Sequence, residues 1–365
     1  MQATRTILAA AISVLLINHA YAVNESTQDQ TGSENYADVF QQGEDSSISQ
    51  RQNGTGNVVY TDQRGAGMTA DSEQAGSGNI SITDQSGVNG NVAISQDGEY
   101  NLATVLQSSI GTGQSVAISQ AGISNLAYIE QPDGAGNAAT VTQNGQGNAT
   151  EVFQVGRLGK SYTGVQNGDG NTAYIEQTGG AAADTEQSGT ANVIRLSQDG
   201  FPYGAYASIS QNGIGNEATL DQRSGGRYSS GDVTLVQIGT DNVADVVESG
   251  GFSSFSFTQD GTGNVLTAEQ GGRSTTVDGR STGNDNRVDI EQSFDGSSLV
   301  IDQNGTANEI DVVQMGYCSS GTVEQTGTEN YASLLQTGAW DNVQQYDATI
   351  RQDGTGNSAI VMQGP

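Results

Sequence analysis

A polar hexapeptide frame, Gln-x-Gly-x-x-Asn, recurs through almost the whole chain at near-constant spacing, and few folds impose such a period. Its first position falls at Gln30, Gln52, Gln74, Gln96, Gln120, Gln143, Gln166, Gln187, Gln211, Gln237, Gln259, Gln303, Gln325 and Gln352, with most steps between 21 and 24 residues. The gap from Gln259 to Gln303 is 44 residues, and at its midpoint Ser281-Thr282-Gly283-Asn284-Asp285-Asn286 keeps the frame with serine in place of glutamine. Fifteen units of about 22 residues result. A period of this length is the mark of a repeat architecture, in which each unit is too narrow to bury a core alone and copies must stack.

The stretch Gln303–Gln325, QNGTANEIDVVQMGYCSSGTVEQ, shows the unit most completely. Asn308, Ile310, Val312 and Gln314 fall at alternate positions, so in an extended chain all four share one face, half apolar and half amide. The same alternation recurs after the other markers, in Ala103 and Val105, Ala127 and Ile129, Ala173 and Ile175, Ile194 and Leu196, and Ala332 and Leu334. The intervening positions carry polar and bulky groups such as Tyr128, Glu130, Tyr174 and Glu176. Period two over five to seven residues predicts strands. Each unit therefore reads as two short strands and two glycine-bearing corners, one rung of a solenoid. Pro132, Pro202 and the insertions at Gln222–Asp232 and Pro202-Tyr203-Gly204 are expected at corners. At about 4.8 Å per rung the rod would be roughly 70 Å long.

Amides repeat in register with the strands. The marker asparagines are Asn35, Asn57, Asn79, Asn101, Asn125, Asn148, Asn171, Asn192, Asn216, Asn242, Asn264, Asn286, Asn308, Asn330 and Asn357. Six residues after each comes Gln41, Gln63, Gln85, Gln107, Gln131, Gln154, Gln177, Gln198, Gln222, Glu248, Gln270, Gln292, Gln314, Gln336 or Gln363, and only Glu248 departs. A primary amide offers donor and acceptor together, so copies stacked in register can bond along the rod. The structural ladder is read on Gln52, Asn57, Gln63, Gln74, Asn79, Gln85, Gln96, Asn101, Gln107, Gln120, Asn125, Gln131, Gln166, Asn171, Gln177, Gln303, Asn308, Gln314, Gln325, Asn330, Gln336, Gln352, Asn357 and Gln363. The fold class is all-β, a cross-β solenoid with two strands per rung.

Composition separates this reading from its competitor. With 51 glycines and only 34% hydrophobic residues, a chain of irregular sequence would not offset its ordering entropy and would be disordered. Regular placement of the polar residues reverses that expectation.

Residues 1–22 are of another kind. Arg5 precedes an apolar run from Ile7 to Ile17, and Ala20-Tyr21-Ala22 supplies a small-residue cleavage pattern, so the segment reads as a secretory signal peptide. Residues 23–29 are a short leader and 30–365 the repeat domain. Cleavage removes Arg5 and no acid, moving the formal charge from −29 to −30, and removes His19, the one histidine. So acidic a chain disfavours nucleic acid and anionic membranes as partners. The single cysteine, Cys318, cannot form an internal disulfide. Without histidine there is no Ser/His/Asp triad, one cysteine makes no thiolate cage, and the acids are spread over nearly every unit; neither catalysis nor a cofactor or metal site is read here.

Asp62, Asp84, Glu130, Glu176, Asp221, Glu269 and Glu291 precede the closing glutamine and point outward. Neighbouring rungs are expected to hold such acids about 5 Å apart, a repulsion of roughly 1 kcal/mol per pair before screening. Arg273–Arg287 reads as an irregular rung around Ser281.

Gln-x-Gly-x-x-Asn-x-Ala-x-x-x-Gln, complete in Gln96–Gln107, Gln120–Gln131, Gln166–Gln177 and Gln325–Gln336, resembles the curlin repeat of bacterial curli subunits, and Ser46 and Ser297 stand upstream of their markers as many repeats have it. The resemblance covers about residues 30–363 and implies a major-subunit-like secreted protein that self-assembles into extracellular amyloid fibres of biofilm matrix, serving adhesion. It further implies a nucleator subunit, an outer-membrane secretion channel and periplasmic chaperones as partners. Familiar curlins have about five units and a longer segment before the first. A regular final unit at Gln352–Gln363 and an abrupt start at Gln30 predict open ends and head-to-tail growth. The alternative is a monomeric secreted β-solenoid that acts as an adhesin or binds a ligand along its side.

Overall fold

Alternating small apolar and amide residues leave the chain two ways to hide one face of each strand: fold it against another strand of the same rung, and stack the rungs. The protein does both. The structure is a computed structural model describing residues 23–109, 113–156, 158–223, 231–338 and 345–364. The segment read as a signal peptide lies outside the described residues. Among the described residues there are 28 strands and no helix.

Strands that lead into a marker, such as Ser47–Thr55, Ser298–Thr306 and Ser320–Thr328, pair only with one another, in parallel, and form the first sheet. Strands that follow a marker, such as Val58–Ala66, Glu309–Met315 and Tyr331–Thr337, form the second. Thr172–Thr190 and Val193–Ile214 are long because each crosses from the second sheet of one rung to the first sheet of the next. With those two divided at the crossing, the described strands make fifteen rungs of a β-solenoid. The register is strict: Gln303 lies opposite Ser281 and Gln325, and Gln314 opposite Gln292 and Gln336.

Between the sheets runs a thin core. In the rung marked by Gln303, the first sheet contributes Ser297, Leu299, Ile301 and Gln303 and the second Asn308, Ile310, Val312 and Gln314, all buried. Two apolar positions per strand stack along the rod, from Val92 and Ile94 through Phe255 and Phe257 to Ile350. Amides lie at both margins, where the chain turns.

The strands are longer and the corners tighter than the sequence suggests. Ser298–Thr306 runs for nine residues straight through Gln303-Asn304-Gly305, and the turn is made by Ala307 and Asn308 alone. Ala307, at φ 53°, is left-handed, as are its equivalents Asp285 and Glu329. Gly305 extends the strand at φ 131°, a region closed to side chains; a Cβ there would lie 1.8 Å from the carbonyl oxygen of Gly327. Residues 25–29, read as a leader, belong to the strand Glu25–Ser33, in register with Ser47–Thr55. The insertion at 201–204 is carried within a strand, opposite a register shift between Gly179 and Ala181, rather than at an open corner. Residues 224–230 of the other insertion lie outside the described residues.

Gly305→Ala should therefore lower unfolding stability by about 2–4 kcal/mol, the cost of a forbidden backbone region plus a steric overlap. Gly147→Asn is the control: at φ 64° with nothing within 4 Å of a Cβ, it sits where other rungs carry Asp285 or Tyr100 and should cost under about 1 kcal/mol. Urea denaturation of both variants measures the difference.

Candidate functional site, the internal amide ladders and the open ends

The left-handed residue before each marker asparagine swings that side chain under the neighbouring rung. Asn308 shows what it does there. Its backbone N–H and its Nδ2 donate to Asn286 Oδ1, at 3.1 and 3.2 Å, and Nδ2 also reaches the carbonyl oxygens of Asn304 at 3.3 Å and Gly327 at 3.0 Å. Asn330 treats Asn308 Oδ1 in the same way, at 3.1 and 3.0 Å. One side chain thus ties three rungs and closes its own corner. The pattern runs from Asn57 on Asn35 to Asn357 on Asn330.

Two glutamine ladders run beside it. In the marker column Nε2 donates to the Oε1 of the next rung wherever that rung carries glutamine, as Gln52 to Gln74 at 2.9 Å, Gln120 to Gln143 at 2.8 Å and Gln325 to Gln352 at 2.8 Å. The second Nε2 proton goes to a backbone carbonyl on the facing sheet, for Gln303 that of Arg287 at 3.1 Å. In the closing column Gln63 donates to Gln85 at 2.8 Å, Gln107 to Gln131 at 2.9 Å, Gln177 to Gln198 at 2.9 Å and Gln336 to Gln363 at 2.8 Å. The remaining residues read as ladder positions, Asn79, Gln96, Asn101, Asn125, Gln166 and Asn171, lie in the same three columns, all buried.

These distances are those of ordinary hydrogen bonds, in an interior where an unmade one costs about 1–3 kcal/mol. Polarity matters more. Both glutamine ladders donate toward the C-terminal end of the rod, while the asparagine Oδ1 acceptors face that end.

A family model described as the curlin associated repeat matches residues 111–145. That segment carries a curlin-type repeat. The matched stretch holds Gln120, Asn125, Gln131 and Gln143, and strict register carries the curlin-repeat pattern from there into the other rungs. Among curated proteins, no sequence match to it was found.

Departures from the curlin-repeat pattern are absorbed in different ways. Ser281 keeps the marker ladder running, its Oγ donating to Gln303 Oε1 at 2.9 Å, while Gln259 turns to the carbonyls of Val243 and Asn264. Arg280 forms a two-pronged pair with Asp302 in the next rung, at 2.7 and 2.8 Å, and Arg287 one with Asp289. Cys318 is an exposed thiol on a corner at φ 52°.

Four of the seven outward acids face another acid, and Glu130, Glu176 and Asp221 stand alone. Asp62 faces Asp84, and Glu269 faces Glu291. Leu106, Phe153, Ser197 and Val247 interrupt the rest of that column, so the expected rung-to-rung repulsion is confined to two places. Burial, and after it Asp84 against the opposing Arg64, raises Asp62 above the usual carboxylate range.

Three features escaped the sequence. Lys160 is buried in a corner, its ammonium donating to the carbonyls of Gly156 at 2.8 Å and Leu158 at 2.7 Å and to Asn137 Oδ1 at 3.4 Å; burial pulls its pKa down. Tyr162 is buried along the first sheet, its ring over Gly164 and its hydroxyl on Thr185 Oγ1 of the next rung at 2.8 Å. Tyr128, Phe153 and Tyr174 form a tilted row on the outer face of the second sheet, centroids 5.6 Å apart at each step. The last was half visible as bulky residues at outward positions.

Asn308→Ala should destabilise the rod by about 2–4 kcal/mol, because it leaves buried groups on three rungs without partners. Asn144→Ala, which removes only an exposed side-chain bond to Asn167, should stay within about 0.5 kcal/mol. Chemical denaturation with matched m-values checks both.

Proposed function

We propose that this chain is a fibre subunit: a secreted structural protein that stacks head to tail on copies of itself into an extracellular, curli-like amyloid of the biofilm matrix. The supporting observation is the complementarity of the two ends. Among the described residues, the strands Glu25–Ser33 and Tyr36–Glu44 pair only inward, with the second rung, and Asp347–Thr355 and Ser358–Gln363 only with the rung before them. The outer edges of both end rungs are exposed.

What each edge offers follows from ladder polarity. At the first rung Gln30 and Gln41 donate into the stack, to Gln52 and Gln63, so their Oε1 acceptors face out. At the last rung Gln352 and Gln363 receive from below and direct Nε2 outward, and Asn357 Oδ1 is the acceptor of the next step. Placed on another copy's first rung, donors meet acceptors in all three ladders, and the strands meet in parallel. Two first rungs placed together would oppose oxygen to oxygen. Growth is therefore polar. Matched unpaired edges template addition of another chain, and stacked amides with parallel strands are the construction of cross-β fibres.

Family likeness supports the remaining parts of the reading: a bacterial cell-surface location reached through the periplasm, an outer-membrane secretion channel, soluble chaperones that delay assembly, and a nucleator. The protein acts by assembly and adhesion rather than by catalysis.

The experiment is seeded growth. Purified protein with sonicated fibres of itself should elongate without a lag, giving thioflavin T signal and cross-β diffraction. Gln363→Glu, which replaces the outward Nε2 donor of the last rung with a charged acceptor, should slow elongation at least tenfold, with little effect on the melting of the isolated chain. A protein that stays monomeric at rest and ignores seeds would instead be the side-binding solenoid.

A further inference from the structure

The closing-glutamine ladder is broken at one rung. Glu248 occupies the place of the glutamine, in register between Gln222 and Gln270, and is 0% exposed. Its carboxyl oxygens accept the N–H groups of Gly250 at 2.8 Å and Gly231 at 3.2 Å. An ionised carboxylate has no proton to hand to the next rung. The consequence shows one step on. Gln270 still donates to Gln292, at 3.1 Å, but its own Oε1 is buried without a hydrogen-bond partner. Oε1 atoms of the regular closing column, such as Gln314 and Gln336, each receive a bond from the rung before.

We propose that Glu248 is a pH-dependent rung: protonated, it stands in for glutamine by donating its O–H to Gln270 Oε1 and closing the stack; ionised, it opposes oxygen to oxygen and opens a seam there. The proton that completes the ladder comes from solvent and returns to it, so the step needs no further reactant.

The surroundings favour the protonated form over an unusual range. Burial is the main cause that raises Glu248 from its ordinary 4.5 to about 7; the Gly231 and Gly250 N–H groups and the Gln222 side chain hold it back, and Asp232 adds to the rise. Within the rung Asp232 follows Gly231 on the strand leaving the corner and is exposed. From the rung below, exposed Arg223 follows Gln222 and pairs with Asp221. From the rung above, Arg273 follows the corner after Gln270 and is exposed. Across the core stand Ser253 and Thr275, buried and uncharged. Arg227 lies outside the described residues. No cation is placed inside the ladder beside the carboxylate among the described residues.

The sign follows from linkage. The folded pKa lies above the unfolded one, so the contribution of this group is whole below about 4.5 and is lost as pH rises through about 7. A secreted protein would thus cross from an open to a closed seam within the mildly acidic range. The inference rests on the ladder geometry and the burial of Glu248, and holds whether or not the chain forms fibres.

Glu248→Gln supplies the test, since a glutamine fits the column and restores the donor permanently. Hydrogen–deuterium exchange of Val243–Glu248 and Val265–Gln270, corrected for intrinsic rates, should be at least about tenfold faster in the wild type than in the variant at pH 8, as a pKa difference above one unit requires. At pH 5 the two should exchange alike. A gap of equal size at both pH values, or none at pH 8, overturns the proposal. Carboxyl carbon NMR of the wild type gives an independent reading: a buried glutamate titrating near pH 7 supports it, and no glutamate titrating above pH 5.5 overturns it.

Discussion

A hydrogen bond from one side-chain amide to its own copy in the next rung is the interaction on which the rest of the rod depends. It demands that neighbouring copies keep register, because a slip of one residue would carry every amide from the interior to the surface. It demands that the strands be parallel, since only then does the same residue recur above itself. It also allows an interior poor in hydrocarbon. Four apolar side chains per rung, such as Leu299, Ile301, Ile310 and Val312, would make a weak core for a separate domain. Flanked by satisfied amides and stacked without interruption they become a continuous one.

The same interaction has a direction, and the direction has consequences at the ends and at the seam. Glutamine ladders that donate one way give the rod a donor end and an acceptor end, set by the same geometry that holds one molecule together. Where a residue cannot donate, the ladder shows it. Ser281 breaks the shape of the column but keeps a proton to offer, and Gln303 stays bonded. Glu248 keeps the shape but, when charged, loses the proton, and Gln270 Oε1 is stranded. An isosteric substitution is thus the more disruptive of the two, because hydrogen-bond accounting in a buried ladder outweighs volume.

The corners explain why glycine is abundant without being uniformly required. Gly305 and its equivalents lie in backbone regions where a Cβ would strike the next rung, so they are fixed by sterics. The left-handed corner positions tolerate Ala307, Cys318, Tyr100 and Asp285. Sequence variety, including the free thiol and the aromatic row, gathers where neither ladder nor core constrains the side chain.

Sequence alone determined the period, the two-strand rung, the inward set of Asn308, Ile310, Val312 and Gln314, and the amide columns, because each follows from repetition and from a side-chain alternation of two that no tertiary context can alter. It also showed that Glu248 departs from its column. Tertiary structure decided what repetition leaves open: that the strands run nine residues and turn on two, that residues 25–29 join the first rung, that the column of outward acids is interrupted by Leu106, Phe153 and Val247, and that Lys160 and Glu248 are buried. Burial, register and bond direction are relations between rungs. They depend on insertion lengths and on which amide proton faces which oxygen, and a linear pattern does not carry that information.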